Sequence, residues 1–310
     1  MERKDIIYVA GHKGLVGSSI FELLKNKGFE NIIVKDSCEL DLRNQNDVNH
    51  FFSKNKIDYV FLAAAKVGGI AANNKYKAEF IYDNLSIQSN VIHSSYLYKV
   101  KKLLFLGSSC IYPKNSIQPI EEDFLLNGKL EPTNEPYAIA KIAGIKMCDA
   151  YRYQYNCNFI SVMPTNMYGV NDNFDLNNCH VLPALIRKFY EAKLNNSENV
   201  IVWGDGTPKR EFMHVKDCAE ACFFLMKNYN EKGVINVGTG KDHSIKEIAE
   251  KIKNIFQYNG NIIFDTNKPN GMKRKLLDVS KIHGLGWKSS IKLDEGLSVV
   301  CNQIHKILKS

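Results

Sequence analysis

The chain has 310 residues, 45% of them hydrophobic and 24% charged, enough to bury a sizeable core as one large domain or two intimate ones. Its net charge of +8 comes from lysines scattered along the whole length, with no long basic run and no interleaved aromatics, which argues for a solvated surface and against nucleic-acid binding. The apolar run that follows Met1-Glu-Arg-Lys4 stops at Gly11, too short for a signal-peptide core or a membrane span, so a cytoplasmic protein without a membrane partner is expected.

The first element in chain order is a buried strand, Ile6 to Ala10, followed at once by Gly11, Gly14 and Gly17 and by a helix with Leu15, Ile20, Leu23 and Leu24 on one side. Glycine suits a backbone that turns tightly against a pyrophosphate, and a helix amino terminus offers N–H groups and a positive dipole to it. Set between strand and helix, the glycines predict a dinucleotide-binding fold. A second strand, Ile32 to Val34, ends beside the adenosine ribose of such a cofactor. Asp36 there favours ribose hydroxyls and NAD, whereas Lys35 and Lys13 favour the phosphate of NADP. A third strand, Asp58 to Ala63, leads into Ala64-Ala65-Lys66-Val67-Gly68-Gly69, whose small residues let the chain pass close to the cofactor.

After a long helix through Asn84, Ile87, Asn90 and Val91 comes a buried strand, Leu103 to Leu106, ended by Gly107. Ser108, Ser109 and Cys110 should emerge at its carboxyl end, where ligands bind in open α/β sheets. Tyr137 and Lys141 are four residues apart, hence on one face of a helix. A lysine ammonium beside a tyrosine favours the phenolate and lowers its pKa, which suits a proton donor to a carbonyl during hydride transfer, and a serine hydroxyl can hold the same oxygen. The next strand is Phe159 to Met163, with Pro164 to Gly169 leaving it as a loop. Alternating strands and helices to this point argue for a parallel, doubly wound sheet.

Beyond Gly169 the rhythm loosens: an Asn- and Asp-rich loop to Asn178, a helix from about Val181, a strand and turn from Ile201 to Pro208, a short strand Val234 to Val237, a capping box of Ser244 with Glu247, and a closing helix from Leu293. The reading is residues 1–169 as a dinucleotide-binding domain, rejoined by elements around 205–237, with 170–204 and 238–310 as a smaller substrate-binding lobe. The eight cysteines show no CxxC and no metal spacing, so no metal site is expected. Cys218 and Cys222 read as core, and Cys110, at a strand end, as exposed.

These motifs resemble the extended short-chain dehydrogenase/reductase family, and within it the GDP-L-fucose synthases. The likeness spans nearly the whole chain: Gly11 to Gly17, Leu62 to Ile70, Leu106 to Pro113, Tyr137 to Lys141, Met163 to Gly169, Arg210 to Val215 and Arg274 to Asp278. The segments beginning at Lys66 and Ser108 belong to the fucose-synthase-like branch. The resemblance implies a Rossmann-type doubly wound sheet with a smaller α/β lobe at its carboxyl end. It implies an enzyme that epimerises a GDP-4-keto-6-deoxy sugar at carbons 3 and 5 and then reduces carbon 4 with NADPH. Ser108, Tyr137 and Lys141 would carry the reduction, and Cys110 and His180 the epimerisation. Gly11, Lys13, Gly14, Leu15, Val16, Gly17, Asp36 and Ala64 would bind the cofactor, which Tyr137, Lys141 and His180 also border. Asn166, Trp203, Arg210, Lys273 and Arg274 would bind the nucleotide sugar, Trp203 as an apolar wall and Arg210 as a phosphate clamp. A homodimer through the helices of Asn84 to Tyr98 and Tyr137 to Tyr155 is implied too. Where the family commonly has an arginine after the second strand, this chain has Asp36-Ser37, so NADPH is expected with modest discrimination and NAD stays open. The competing readings are a carbon 4 reductase acting on a GDP-heptose, and a cofactor-sensing regulator, for which Tyr137 and Lys141 would have no use.

Overall fold

A short apolar run, Ile7–Ala10, forms strand β1 with every side chain buried, as in a parallel strand covered on both faces. In the computed structural model, which describes residues 1–268 and 270–309, it is followed by α1 (Leu15–Asn26), β2 (Ile32–Ile33), α2 (Gln45–Lys54), β3 (Tyr59–Leu62), α3 (Ile70–Lys75), α4 (Lys77–Leu97) and β4 (Lys102–Leu106). Then come α5 (Glu135–Tyr155), β5 (Phe159–Pro164), β6 (Asn166–Tyr168), α6 (Val181–Leu194), β7 (Asn199–Trp203), β8 (Lys209–His214), α7 (Val215–Asn228) and β9 (Val234–Val237). The chain closes with β10 (Asp242–Ser244), α8 (Ile245–Phe256), β11 (Asn261–Asp265), β12 (Arg274–Lys275), α9 (Ser280–Gly284) and α10 (Leu293–Ile307).

Six strands form one parallel sheet in the order β2-β1-β3-β4-β5-β9. The expected doubly wound, Rossmann-type sheet is therefore present. The chain leaves β1 for β2 on one side and returns to β3 on the other, so a crevice opens at the carboxyl ends of β1 and β3, the switch point where such sheets take ligands. Lys102, at the start of β4, is 3% exposed. Its ammonium donates to the carbonyls of Leu225, Met226 and Tyr229 at 2.9, 2.9 and 2.5 Å and to Asn230 Oδ1 at 3.1 Å, tying the sheet to the last turn of α7.

The remaining strands build a second layer. The amino-terminal half of β8 pairs antiparallel with β10 and parallel with β12, and its carboxyl half pairs parallel with β6. The stretch from Pro164 to Gly169 is thus not wholly a loop, because three of its residues find β8 as a partner. β7 pairs with β11, and the capping box of Ser244 and Glu247 starts α8 as expected. A second hydrophobic core gathers Phe189, Ile248, Leu297 and Val300 from α6, α8 and α10. Leu277, Val279, Ile282 and Trp287 lie instead in the core of the large sheet, so the segment after β12 crosses back over the boundary read from the sequence.

Candidate active site

One cleft of about 1500 Å³ runs from the glycine turn after β1, past the carboxyl end of β4, to Trp203 and Arg210 at the second layer. Gly11 has φ +86°, and a Cβ on it would stand 2.6 Å from Ala64 N; one on Gly17 would stand 2.0 Å from the Gly11 carbonyl oxygen. Only glycines permit this approach of the first turn of α1 to the end of β3. Gly14 caps α1 without any side-chain hydrogen bond, and the first turn carries no acidic residue. Its backbone N–H groups are free to meet an anion, so Gly11, Gly14, Leu15, Val16, Gly17 and Ala64 fit a dinucleotide pyrophosphate.

At the adenosine end every nearby cation already has a carboxylate. Lys13 pairs with Asp36 at 2.9 Å, Lys35 with Glu39 at 2.7 Å, and Arg43 with Asp41 and Asp83 at 2.8 and 3.3 Å. An incoming phosphate must compete with Asp36 for Lys13.

Tyr137 and Lys141 sit on α5, which opens with Pro136 in its first turn, and both face the carboxyl end of β4. Ser108 leaves β4 in extended conformation and its hydroxyl accepts from Cys110 N at 3.3 Å. The Tyr137 pKa is raised, not lowered as the Tyr-Lys spacing predicts: desolvation dominates and a nearby Cys110 adds to it, while Ser108 works weakly the other way. The Lys141 ammonium is spent otherwise. It donates to the Leu106 carbonyl at 2.7 Å and lies 5.8 Å from the centre of the Tyr137 ring, and burial brings its own pKa down to about 8. Tyr137 is therefore a protonated phenol in the free protein.

Cys110 is not exposed. A 3-10 turn over Ser109–Ile111 folds it back beneath the cleft at 8% exposure, where burial pushes its thiol pKa up, against the opposing charges of Lys275 and Lys141. His180 caps α6 and lines the same cleft; desolvation and the charge of Lys275 lower its pKa. Lys275 thus stands within electrostatic reach of both.

Asn166, Trp203 and Arg210 line the far end of the cleft. Asn166 Nδ2 donates to the Glu211 carbonyl at 2.9 Å, which leaves its Oδ1 uncommitted by that bond. Trp203 is 52% exposed, with Lys188 Nζ 5.7 Å and Lys268 Nζ 5.4 Å from its ring centre. It is a platform and not core. Lys273 and Arg274 do not line the cleft: both are exposed, and Arg274 pairs with Asp242. Successive strand residues point to opposite faces, so Lys275 enters the cleft where Arg274 leaves it. Besides Lys275, sequence reasoning missed Lys188 and Asp172, a cleft carboxyl whose pKa burial raises to about 7. Nothing in the local sequence marks Asp172. Lys275 stands next to Lys273 and Arg274, which the sequence did single out, so the basic neighbours were a signal without a side.

A parallel sheet with a glycine turn at its switch point and a Ser, Tyr and Lys at the neighbouring strand end defines a nucleotide-cofactor enzyme. The chain belongs to the NAD dependent epimerase/dehydratase family, whose model matches residues 7–238. It is similar to GDP-L-fucose synthase 1 of Arabidopsis thaliana, 57% identical over 94% of this chain and 90% of that one, and to GDP-L-fucose synthase of Escherichia coli (strain K12), 51% identical over 95% of both. Among solved structures it resembles a GDP-mannoheptose C4 reductase from Campylobacter jejuni with NADP bound, 42% identical with a TM-score of 0.91 over 100% of both chains.

Proposed function

We propose that the chain is an NADPH-dependent epimerase and reductase of a GDP-4-keto-6-deoxy sugar, inverting carbons 3 and 5 and then reducing the carbon 4 ketone. The observation that carries this reading is that Cys110 and His180 share one cleft with Ser108, Tyr137 and Lys141. A reductase acting at carbon 4 alone would carry the first pair unused.

Gly11, Gly14, Leu15, Val16, Gly17 and Ala64 would hold NADPH, which when bound would supply the hydride for carbon 4. Tyr137 holds the proton that the carbon 4 oxygen takes up, Ser108 fixes that oxygen by its hydroxyl, and Lys141 stabilises the phenolate left behind. Before that step the same two hydroxyls polarise the ketone, which makes the protons on carbons 3 and 5 acidic. Cys110 as thiolate removes one; the electron pair of the broken C–H bond moves to the carbon 4 oxygen as an enolate; His180 returns a proton from the opposite face. Lys275 favours the Cys110 thiolate against the burial that opposes it. Trp203 offers its face to the base, and Arg210 with Lys188 meets the diphosphate.

The protein is proposed to work in the cytoplasm as a homodimer. Supporting the dimer, Tyr82 on α4 and Ile139 and Tyr153 on α5 are exposed apolar side chains on the two helices that the family likeness singles out. Among the described residues no helix is long and apolar enough to cross a membrane. The second reading, reduction of carbon 4 alone on a GDP-heptose, draws on the likeness to the heptose reductase. One experiment separates the two: GDP-4-keto-6-deoxy-mannose with NADPH in deuterated water, the product read by NMR. Deuterium at carbons 3 and 5 is the expected result; a product with none leaves the reductase reading in its place.

A further inference from the structure

Gly69, in the turn after β3, lines the cleft, yet what requires a glycine there is a neighbouring loop and not the cofactor cradle. A Cβ on Gly69 would lie 2.3 Å from the Cys179 carbonyl oxygen and 3.2 Å from its carbon, and the Gly69 N–H donates to the Asn178 carbonyl at 2.8 Å. Both contacted residues immediately precede His180. Segment 175–179 is wound on Asp175, whose carbonyl accepts from Asn178 N and Cys179 N at 3.0 and 2.8 Å and whose Oδ2 accepts from Asn178 Nδ2 at 2.7 Å. The winding leaves the Asn178 carbonyl pointing at Gly69. On the other side of the turn, Asn73 of α3, 6% exposed, donates from Nδ2 to the Gly68 and Gly69 carbonyls at 2.7 and 3.1 Å.

We infer that Gly69, held by Asn73, is a positioning residue for His180: the close backbone contact between the turn after β3 and the loop before α6 sets where the imidazole stands, and so governs inversion but not reduction. The inference rests on the epimerase reading above. Its physical ground is distance. Proton return needs the donor within about 3 Å of the carbon-bound site. A methyl at Gly69 would force the Cys179 carbonyl outward until ordinary contact is restored, and a displacement of about 1 Å at a reacting group can cost about a hundredfold in rate. Ser108, just past β4, and Tyr137 and Lys141, on α5, do not touch the 175–179 loop through this contact.

The test compares the native protein with Gly69→Ala and Asn73→Ala in two assays. In the first, GDP-4-keto-6-deoxy-mannose in deuterated water without reduced cofactor reports solvent exchange and inversion separately by NMR. In the second, the already inverted 4-keto sugar is reduced with NADPH. The native protein should exchange and invert; if it does neither, the epimerase reading itself fails, whatever the variants do. Gly69→Ala should lose about a hundredfold in inversion while keeping exchange, since Cys110 still takes the proton and it returns to the same face, and should reduce the inverted sugar at near-native rate. Asn73→Ala, which leaves Gly69 in place and removes two hydrogen bonds, should show the same skew more weakly. A native ratio of inversion to exchange in Gly69→Ala overturns the inference, as does a loss of reduction equal to the loss of inversion. Should Gly69→Ala fail to fold, the ratio in Asn73→Ala decides in the same way.

Discussion

Tyr137 shows how one side chain can suit a proposed role while its electrostatics reverse the expectation. The four-residue spacing to Lys141 puts both on one face of α5, yet the ammonium is taken by the Leu106 carbonyl and burial holds the phenol protonated. A donor must carry its proton until the oxyanion forms, and the phenol does so in the free protein; a pKa nearer working pH would ease the transfer. Tyr137→Phe should cut reduction by about 10²- to 10⁴-fold with cofactor affinity unchanged, measured by NADPH oxidation and by fluorescence titration; near-native oxidation would mean that the proton comes from elsewhere. Lys141 adds a pH dependence. Its charged form prevails below its depressed pKa of about 8 and is lost above it, so reduction of the inverted sugar should decline as pH rises through that value. A rate that stays level to pH 10 contradicts the assignment. Asp36 belongs to the same scale. Its carboxylate neutralises the one lysine of the glycine turn, so Asp36→Asn should free Lys13 and raise the NADPH-to-NADH ratio of kcat/KM several-fold. An unchanged ratio would show that Lys13 does not meet the phosphate.

Among the elements, β4 carries the most. Its carboxyl end presents Ser108 and turns Cys110 inward, and its first residue, Lys102, closes the carboxyl terminus of α7. Carbonyls at a helix end have no partner within the helix; Tyr229 N–H caps the Leu225 carbonyl, and the buried Lys102 ammonium adds to it while serving the Met226 and Tyr229 carbonyls and an amide oxygen. Lys102→Met keeps the length and removes the donors. It should destabilise the protein by about 2–4 kcal/mol, read as a lower urea midpoint; a midpoint within error of native would show that water replaces the ammonium. Elements of two or three residues behave differently. β6 and β12 exist because β8 offers them a ladder, and with β12 comes the alternation that sends Lys275 into the cleft and Arg274 to Asp242.

At the scale of the whole molecule, the cleft lies between two cores, and its residues come from both. Light scattering at micromolar concentration should give the mass of a dimer, and Tyr153→Glu, at the most exposed aromatic of α5, should shift it to the monomer; a monomeric native protein would leave Tyr82, Ile139 and Tyr153 without a dimer to cover them. The large sheet was legible because its strands are apolar runs bounded by glycine and its first helix follows a glycine turn; Leu103 to Leu106, Val234 to Val237 and the Ser244 capping box each carry a local signal that packing does not override. The residues now found in the cleft were legible where they stand in motifs, as Ser108, Tyr137 and Lys141 do. Burial was not legible, because it depends on what other segments bring. Cys110 at a strand end is open until the 3-10 turn folds it against α5, Lys13 is free until Asp36 is seen 2.9 Å away, and Gly69 looks like a cofactor glycine until the Cys179 carbonyl arrives from the loop before α6. Local pattern therefore determined the strands of the large sheet, the glycine turn at its switch point and the residue types proposed for the chemistry. Which face each charge takes, which thiol is buried and which backbone groups meet across the cleft were decided by tertiary structure alone, since desolvation and close contact act between segments far apart in the chain.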